Sequence, residues 1–239
     1  MKIILNPKYE SLREFLTHLE DHFEKAGQEI LCDRNVIRTL QVNGFTLCVK
    51  RYAVPRLRTR LAQRLYRWTP KGKKAYFRPL ALRERGLSGP EPVAYIKYSK
   101  GITRSTHYFV YLHSKFRYTL NDLARFDEEE RDELVKALAR FMARLHRNGF
   151  LQHDITSDRI LFDKSGSRYR FSLLDTNRLS IGRTISIEKG CDNLARLSGD
   201  ERFFATLAHA YALARHSEAE HCEHCIREAR RKNGTTNIC

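Results

Sequence analysis

The chain places three side chains at positions that suit phosphoryl transfer. Lys50 ends the segment "TLCVK", Asp154 follows "LHRNGFLQH", and Asp175 ends "FSLLD". Transfer of a phosphoryl group from a nucleotide needs a cation on the phosphates, a carboxylate that orients the attacking hydroxyl, and a second carboxylate that holds Mg²⁺. Each residue alone is typical of a surface strand, a turn or a strand end. Their order along the chain is what indicates a kinase-type site.

The stretch from 145 to 175 is the most specific part of this pattern. A run L-H-x-x-G-x-x-x-x-D leads into an apolar strand, a turn and a second strand that ends at Asp175. This spacing predicts a hairpin with a carboxylate at each end, which can put both carboxylates beside one phosphate. The segment "LHRNGF" at the start of this stretch predicts the end of a helix. His146 in this segment is interpreted as a structural residue that packs under the loop with Asp154.

Arg159 occupies the position where a kinase catalytic loop usually has a metal-binding asparagine. A guanidinium group has no acceptor atom, so Arg159 cannot ligate a cation. Three readings stay open: a single metal ion on Asp175 suffices, the adjacent Asp158 replaces the missing ligand, or Arg159 contacts a phosphate oxygen in place of a second cation.

The elements that must position these residues fall into two halves. An apolar stripe at helical spacing predicts a helix over residues 9–25. Asn43-Gly44 between two alternating segments predicts a hairpin, because both turn positions need a positive φ. The apolar residues of its second strand share one face, so Lys50 ends that strand on the opposite face. Further strands are predicted over "PVAYIKY" and "THYFVYLHS".

The second half is predicted to be mainly helical. Asp127 with Glu130 gives a capping-box start to a helix that Gly149 ends. The short strands "RILFD" and "YRFSLLD" follow, and helices are expected from about Ser186. The order of elements predicts an α+β chain with an N-terminal, β-rich lobe over 1–113 and a helical lobe over 114–239.

Positive charge is concentrated in one part of the chain. The net charge is +16, and residues 51–85 hold twelve Lys and Arg against the single acid Glu84. A field of this sign attracts nucleic acid, acidic lipid or a phosphorylated sugar. Apolar residues at helical spacing among these arginines predict a helix that packs on the sheet or lies at a membrane surface. They are Leu57, Leu61, Leu65 and Trp68.

Several classes of protein are disfavoured. No apolar run approaches the ~20 residues that span a bilayer, and the start is charged too early for a signal peptide. We therefore expect a soluble, cytoplasmic protein. Six cysteines give no disulfide framework at this length. The pair Cys222 and Cys225, with His221 and His224, is interpreted as part of a charged helix and not as a zinc site.

Four passages resemble the lipopolysaccharide kinase family, the Kdo and heptose kinases of the protein-kinase-like superfamily. They are "RNVIRTLQVNGFTLCVKRY", "RERGLSGPEPVAYI", "LHRNGFLQHDIT" and "FSLLDTNRLSIGR". The resemblance extends from about Gln28 onward. The D-x-N-R sequence that starts at Asp175 is more typical of this family than of protein kinases, which have Asp-Phe-Gly.

The resemblance implies a bilobal protein-kinase-like fold, with a small antiparallel sheet lobe and a compact helical lobe, that uses ATP and Mg²⁺. Lys50 would contact the ATP phosphates, Asp154 would be the catalytic base and Asp175 would ligate Mg²⁺. The backbone of the hinge would hold adenine, and its residues are Tyr111, Leu112 and His113.

The implied acceptor is a sugar of the lipopolysaccharide inner core, Kdo on lipid A being the first choice. Such a glycolipid is anionic and would be phosphorylated in the cytoplasm, with peripheral contact to the inner membrane and no nucleic acid as partner. The positive charge supports an anionic acceptor over the cationic acceptors of aminoglycoside kinases. The residues assigned to it are Arg178, Arg159, Arg56, Arg60 and Arg64.

The sequence also departs from the family pattern. Gln152 stands where a histidine is usual, no G-x-G-x-x-G precedes Lys50, and only Glu84 is available nearby as its carboxylate partner. The alternative hypothesis is therefore a catalytically inactive pseudokinase, or a basic module that binds anionic lipid or nucleic acid. A protein kinase is disfavoured because no A-P-E segment follows Asp175. The oligomeric state stays open.

Overall fold

The computed structural model describes residues 1–32, 35–53, 71–100, 104–166 and 168–234. The chain divides into two compact units, Met1–Lys115 and Phe116–Cys239. The sequence had placed this boundary between residues 113 and 114. None of the helices in the described ranges is both long and apolar enough to cross a membrane.

The first unit is built on a six-stranded antiparallel sheet in the order β1-β5-β6-β4-β3-β2. The strands are β1 (Lys2–Leu5), β2 (Gln28–Cys32), β3 (Val36–Val42), β4 (Phe45–Tyr52), β5 (Pro92–Lys100) and β6 (Arg104–Leu112). The predicted hairpin is confirmed, because Val42 pairs with Phe45 and both turn residues have positive φ, 48° at Asn43 and 79° at Gly44. The sequence did not predict β1, since four residues are too few to show an alternating pattern.

One face of the sheet is covered by the N-terminal segment. The predicted helix over 9–25 is in fact a 3₁₀ segment (Pro7–Leu12) followed by α1 (Arg13–Thr17) and α2 (Leu19–His22). The break lies at His18, where φ is −101° and ψ is 14°. The apolar stripe is nevertheless buried on the sheet, because short helical turns in sequence keep the same spacing. It comprises Leu12, Leu16, Leu19 and Phe23.

The opposite face carries α3 (Lys71–Glu84), which was not predicted. Its Ala75 and Tyr76 pack with residues of the sheet, namely Cys48, Tyr52, Tyr95, Phe109 and Tyr111. Both faces of the sheet are therefore apolar. Strand alternation puts Lys50 on the α3 side, between Cys48 and Tyr52. The predicted helix with Leu57, Leu61, Leu65 and Trp68 lies outside the described residues.

The second unit combines four helices with two small sheets in its described part. The helices are α4 (Glu128–Arg147), α5 (Ile187–Leu194), α6 (Glu201–Arg215) and α7 (Ala219–Lys232). One sheet has the order β10-β9-β7 and the other pairs β11 with β8. The strands are β7 (Tyr118–Thr119), β8 (Phe150–Gln152), β9 (Ile160–Ser165), β10 (Arg168–Leu173) and β11 (Leu179–Ile181).

The start of α4 and the following hairpin confirm the sequence prediction. The Asp127 side chain accepts a hydrogen bond from the Glu130 backbone N–H at 2.8 Å, which caps the first turn of the helix. Strands β9 and β10 form the predicted hairpin, with Ser165 opposite Arg168. The hairpin thereby leads from the Asp154 loop to Asp175.

Candidate active site

A short ladder of two strands ties the two aspartate-bearing segments together. In it β8 pairs antiparallel with β11, with Gln152 opposite Leu179 and Phe150 opposite Ile181. Asp154 follows β8 directly, and Asp175 lies four residues before β11 begins. The ladder therefore fixes both loops to one piece of backbone.

Gly149 allows the chain to pass from α4 into this ladder. Its φ is 77°, a conformation that L side chains rarely adopt, and a Cβ there would lie 2.1 Å from the backbone oxygen of Gly182. The N–H of Gly182 in turn donates to the Gly149 carbonyl at 2.9 Å. Glycine is thus required both by the turn and by the close approach of two backbones.

Asp154 is surrounded by two arginines. Its Oδ1 accepts a hydrogen bond from Arg178 Nη1 at 2.9 Å, and its Oδ2 lies 4.0 Å from Arg159 Nη1. The carboxylate is 37% exposed. One negative charge thus faces two guanidinium charges, so this part of the unit is locally cationic.

Arg159 also supports the loop that carries Asp154. Its Nη1 donates to the Asp154 backbone carbonyl at 3.1 Å, while its own carbonyl accepts from the Leu174 N–H at 2.8 Å. The arginine therefore links the Asp154 loop to the end of β10. A donor side chain can brace the loop in this way, but it offers a metal ion no ligand atom.

Asp175 is oriented by the residue two positions further on. Its Oδ1 accepts from the Asn177 backbone N–H at 2.7 Å, and its Oδ2 accepts from the Asn177 side-chain amide at 3.2 Å. Such an Asx turn fixes the carboxylate at the end of the strand. The side chain remains partly exposed, so it can reach a ligand.

The residues present fit a nucleotide-bound Mg²⁺ better than a metal held by the protein alone. Mg²⁺ in nucleotide sites takes one or two carboxylates and completes its shell with phosphates and water, and Asp175 would supply one such carboxylate. Across the described ranges, no group of three or more His, Cys, Asp and Glu side chains could hold a metal ion. The alternative ligand Asp158 is exposed on the 3₁₀ segment Ser157–Arg159 and belongs to no such group.

A buried glutamine links the two aspartate-bearing segments a second time. Gln152 is 2% exposed, and its side-chain Nε2 donates to the backbone carbonyl of Asp175. The Gln152 carbonyl accepts from Asn193 Nδ2 at 2.8 Å, which anchors the loop to α5. Gln152 therefore occupies the usual histidine position as a hydrogen-bond donor between the segments.

The network continues into the core of the second unit through His146. Because Asn193 donates its amide nitrogen to Gln152, its Oδ1 faces His146 Nε2, at 3.2 Å. That nitrogen must carry the proton, so Nδ1 accepts from the Tyr211 hydroxyl at 2.8 Å. The Tyr211 oxygen accepts from Arg215 Nη1 at 2.7 Å. From Asn193 through His146 to Tyr211, each hydrogen bond thus joins a donor to an acceptor.

The neutral form of His146 is strongly favoured. Burial lowers its pKa to about 4, the hydrogen bond to Asn193 opposes this shift, and the charge of Arg215 adds to it. The structural role predicted for His146 agrees with its burial beneath the loop.

The sequence does not predict a site role for Asn193 or the bridging role of Gln152. One signal was available for Asn193: α5 places a polar residue among the buried positions Gly190, Cys191 and Leu194. A polar side chain on an apolar helix face usually has a specific partner. The partner itself, a backbone carbonyl, leaves no trace in the sequence.

Lys50 belongs to the first unit. It lies on β4 opposite Phe109 of β6, and its Nζ is 5.7 Å from the centre of the Tyr52 ring. The side chain is half-buried.

The predicted hinge lies at the end of β6 in the same unit. The N–H of Leu112 donates to the Glu91 carbonyl at 3.0 Å, and the N–H of His113 donates to the Thr46 carbonyl at 2.8 Å. These two donors are therefore engaged within the unit. Adenine binding by this stretch would use its backbone carbonyls, which have two lone pairs each. Tyr111 is largely buried on the α3 side of the sheet.

The structure thus brings part of the predicted site together. In the second unit Arg159 and Arg178 lie beside Asp154, and the backbone of Asp175 is joined to the same loop through Gln152. Lys50 and the hinge lie in the first unit. The other arginines assigned to the substrate, Arg56, Arg60 and Arg64, lie outside the described residues.

Comparison with known proteins reveals a shared fold but no close sequence relative. No protein-family model matches the sequence, and no curated protein matches it. The chain is similar to WaaP in complex with acyl carrier protein, with a TM-score of 0.68 and 17% identity over 98% of both chains.

Two phosphotransferase structures are also similar. One is APH(2'')-IIa in a ternary complex with streptomycin and ATP (TM-score 0.53, 16% identity). The other is the ADP-bound aminoglycoside phosphotransferase APH(2'')-Ib (TM-score 0.54, 15% identity). Each comparison covers 92% of this chain and 86% of the other. The predicted protein-kinase-like α+β fold, with an antiparallel sheet lobe and a helical lobe, is confirmed.

Proposed function

We propose that this protein is an ATP-dependent phosphotransferase whose acceptor is an alcohol group of an anionic sugar. The observation that carries the proposal is the arrangement around Asp154 and Asp175. The β8–β11 ladder and the Gln152 bridge hold the two aspartate-bearing segments together. Two arginines beside Asp154 make its surroundings cationic. The fold shared with ATP-bound and ADP-bound structures supports nucleotide use.

Each residue then has a role that its contacts permit. Asp154 would orient the acceptor hydroxyl and accept its proton, and Lys50 would contact the nucleotide phosphates. Asp175, oriented by Asn177, would hold Mg²⁺, which when bound neutralises charge on the phosphates. Backbone carbonyls of the hinge would accept a hydrogen bond from the adenine amino group. Gln152 would keep the two aspartate-bearing segments in register.

The charge around Asp154 supports an anionic acceptor. A cationic acceptor such as an aminoglycoside would be repelled by Arg178 and Arg159, whereas a phosphate or carboxylate matches a guanidinium in charge and geometry. The resemblance in the sequence to Kdo and heptose kinases makes Kdo on lipid A our first candidate. The protein would bind this glycolipid at the cytoplasmic face of the inner membrane. Arg56, Arg60 and Arg64 would contribute to its binding.

A second candidate function rests on Arg159. An arginine at the usual metal-ligand position is also expected of a pseudokinase that binds an anionic lipid or nucleic acid without turnover. A protein partner is a further candidate, because WaaP was solved with acyl carrier protein and a net charge of +16 suits an acidic partner.

Transfer of labelled phosphate from ATP to Kdo–lipid A in the presence of Mg²⁺ tests the proposal. Asp154→Asn and Asp175→Asn should each lower incorporation by at least about a hundredfold. Asp192→Asn is the matched control, because Asp192 is an exposed carboxylate on α5 that pairs with Arg196 at 3.7 Å. It should retain activity.

A thermal-shift titration separates the candidate functions. An active kinase and a nucleotide-binding pseudokinase should both gain melting temperature from ATP with Mg²⁺. No incorporation together with no shift would overturn the kinase proposal. Steeply salt-dependent binding of RNA or anionic vesicles would then support the basic module.

A further inference from the structure

Arg178 forms an ion pair with Asp154, the residue proposed as the base. Its guanidinium donates to Asp154 Oδ1 at 2.9 Å, and this is its one side-chain hydrogen bond within the described part of the chain. The side chain is 65% exposed. A single bond thus uses one of five donors and leaves the guanidinium held at one point.

This contact competes with the role proposed for Asp154. A general base must lie within hydrogen-bond reach of the proton that it accepts, and one of the two Asp154 oxygens already accepts from Arg178. The other oxygen faces Arg159 at 4.0 Å. A lone pair of Oδ1 that accepts from Arg178 cannot at the same time accept the proton of a hydroxyl. As long as Arg178 remains in place, Asp154 is poorly disposed to activate a hydroxyl.

We propose that Arg178 is a latch on Asp154 that the anionic group of the acceptor releases. The inference rests on the proposed kinase function and adds regulation to the same site. A phosphate or carboxylate beside the acceptor hydroxyl takes the guanidinium away from Asp154 and frees Oδ1. The acceptor hydroxyl, which enters the site with this anion, can then donate its hydrogen bond to Asp154 Oδ1.

Arg159 cannot serve as the latch, and the difference lies in its contacts. Its guanidinium donates to the Asp154 backbone carbonyl at 3.1 Å and is only 38% exposed. It is therefore fixed to the loop, whereas Arg178 extends from the turn before β11 into solvent. When the phosphate or carboxylate of the acceptor binds Arg178, Arg159 stays in place beside Asp154. Its guanidinium can then bind a second oxygen of that phosphate or carboxylate.

The latch has two consequences for specificity. An acceptor with a hydroxyl but no nearby anion leaves Arg178 on Asp154 and reacts slowly. Water, which is also neutral, leaves Arg178 on Asp154 as well, so ATP is hydrolysed more slowly while no acceptor is bound. The acceptor class is thus a sugar with a phosphate or carboxylate close to the reacting hydroxyl.

Steady-state ATP hydrolysis without an acceptor tests the latch. Arg178→Met removes every donor and keeps the length of the side chain, and Arg183→Met is the matched control at an exposed arginine on the same segment. An exposed ion pair contributes about 0.2–1 kcal/mol, so hydrolysis should rise by about 1.4- to 5-fold in Arg178→Met. It should not change in the control.

Inorganic sulfate is the probe for release by an anion, because it has no hydroxyl to be phosphorylated. It should stimulate hydrolysis by the wild type, relative to chloride at equal ionic strength, and should leave Arg178→Met unchanged. With Kdo–lipid A as acceptor, kcat/KM should fall in Arg178→Met by about 10- to 100-fold, the value expected for a charge-assisted hydrogen bond.

The outcomes separate the latch from the kinase itself. If hydrolysis depends on Asp154 but neither sulfate nor Arg178→Met raises it, the latch is wrong and the kinase stands. If Asp154→Asn hydrolyses ATP as well as the wild type does, both proposals fail. Sulfate stimulation that persists in Arg178→Met would also refute the latch, because the anion would then act elsewhere.

Discussion

The buried His146 should make the stability of the protein depend on pH in a defined window. Its pKa is about 4 in the folded protein and about 6.5 in an unfolded chain. Between these values the unfolded chain binds a proton that the folded protein does not. The free energy of unfolding should therefore be fully retained above pH 6.5 and decrease as the pH falls toward 4.

The size of the effect follows from the same two values. A difference of about 2.5 pKa units corresponds to about 3 kcal/mol at 1.36 kcal/mol per unit. The contacts explain why this cost cannot be avoided locally. A proton on Nδ1 would meet the Tyr211 hydroxyl, which now donates to that nitrogen, and the Arg215 charge lies just beyond it.

Urea denaturation at pH 8, 6.5, 5.5 and 4.5 measures the effect, with His146→Gln as the comparison. The variant is expected to be less stable at pH 8, because its amide fits the network poorly, but its stability should depend less on pH. Other groups titrate in both proteins, so the difference between the two curves isolates His146. Parallel curves, or a wild type that loses less stability on acidification than the variant, would refute this account.

Three further outcomes are expected. Gly149→Ala should destabilise the protein by several kcal/mol in urea denaturation, because the new Cβ would lie 2.1 Å from a backbone oxygen. Gly166→Ala is the control, because Gly166 also has a positive φ but a Cβ there has nothing within 4 Å. It should lower the free energy of unfolding by only about 1 kcal/mol. Asn193→Ala should lower stability by about 2–4 kcal/mol, since it leaves the Gln152 carbonyl and a histidine nitrogen buried without partners; equal stability in calorimetry would contradict the network. Lys50→Met should abolish most of the melting-temperature gain from ATP with Mg²⁺, and a full gain would remove Lys50 from the nucleotide site.

Local patterns predicted much of the fold. The Asn43-Gly44 hairpin and the Asp127 cap depend on residues within a few positions of each other, and both are present as predicted. The break at His18 and the strand β1 were not foreseen. The strand β1 depends on its pairing with the distant strand β5, a contact that no local pattern reports.

For the candidate site, the sequence predicts residues and not their contacts, and the roles of those residues stay predictions. The sequence predicts Asp154 and Asp175 as site residues and shows Arg159 at the usual asparagine position, because spacing and residue type are enough to identify them. It did not reveal that Arg178 pairs with Asp154 or that Gln152 reaches the Asp175 carbonyl. Those contacts depend on the register of β8 with β11, which is set only when the second unit folds.

The pairing of β1 with β5 bears on how the protein is made. Lys2 lies opposite Lys97, so a ribosome must synthesise almost the whole first unit before its first strand finds a partner. Until then the nascent chain presents the unpaired edge of β1 and the apolar stripe of residues 12–23, which are surfaces prone to aggregate. Chaperone demand during translation should therefore be highest before β5 emerges.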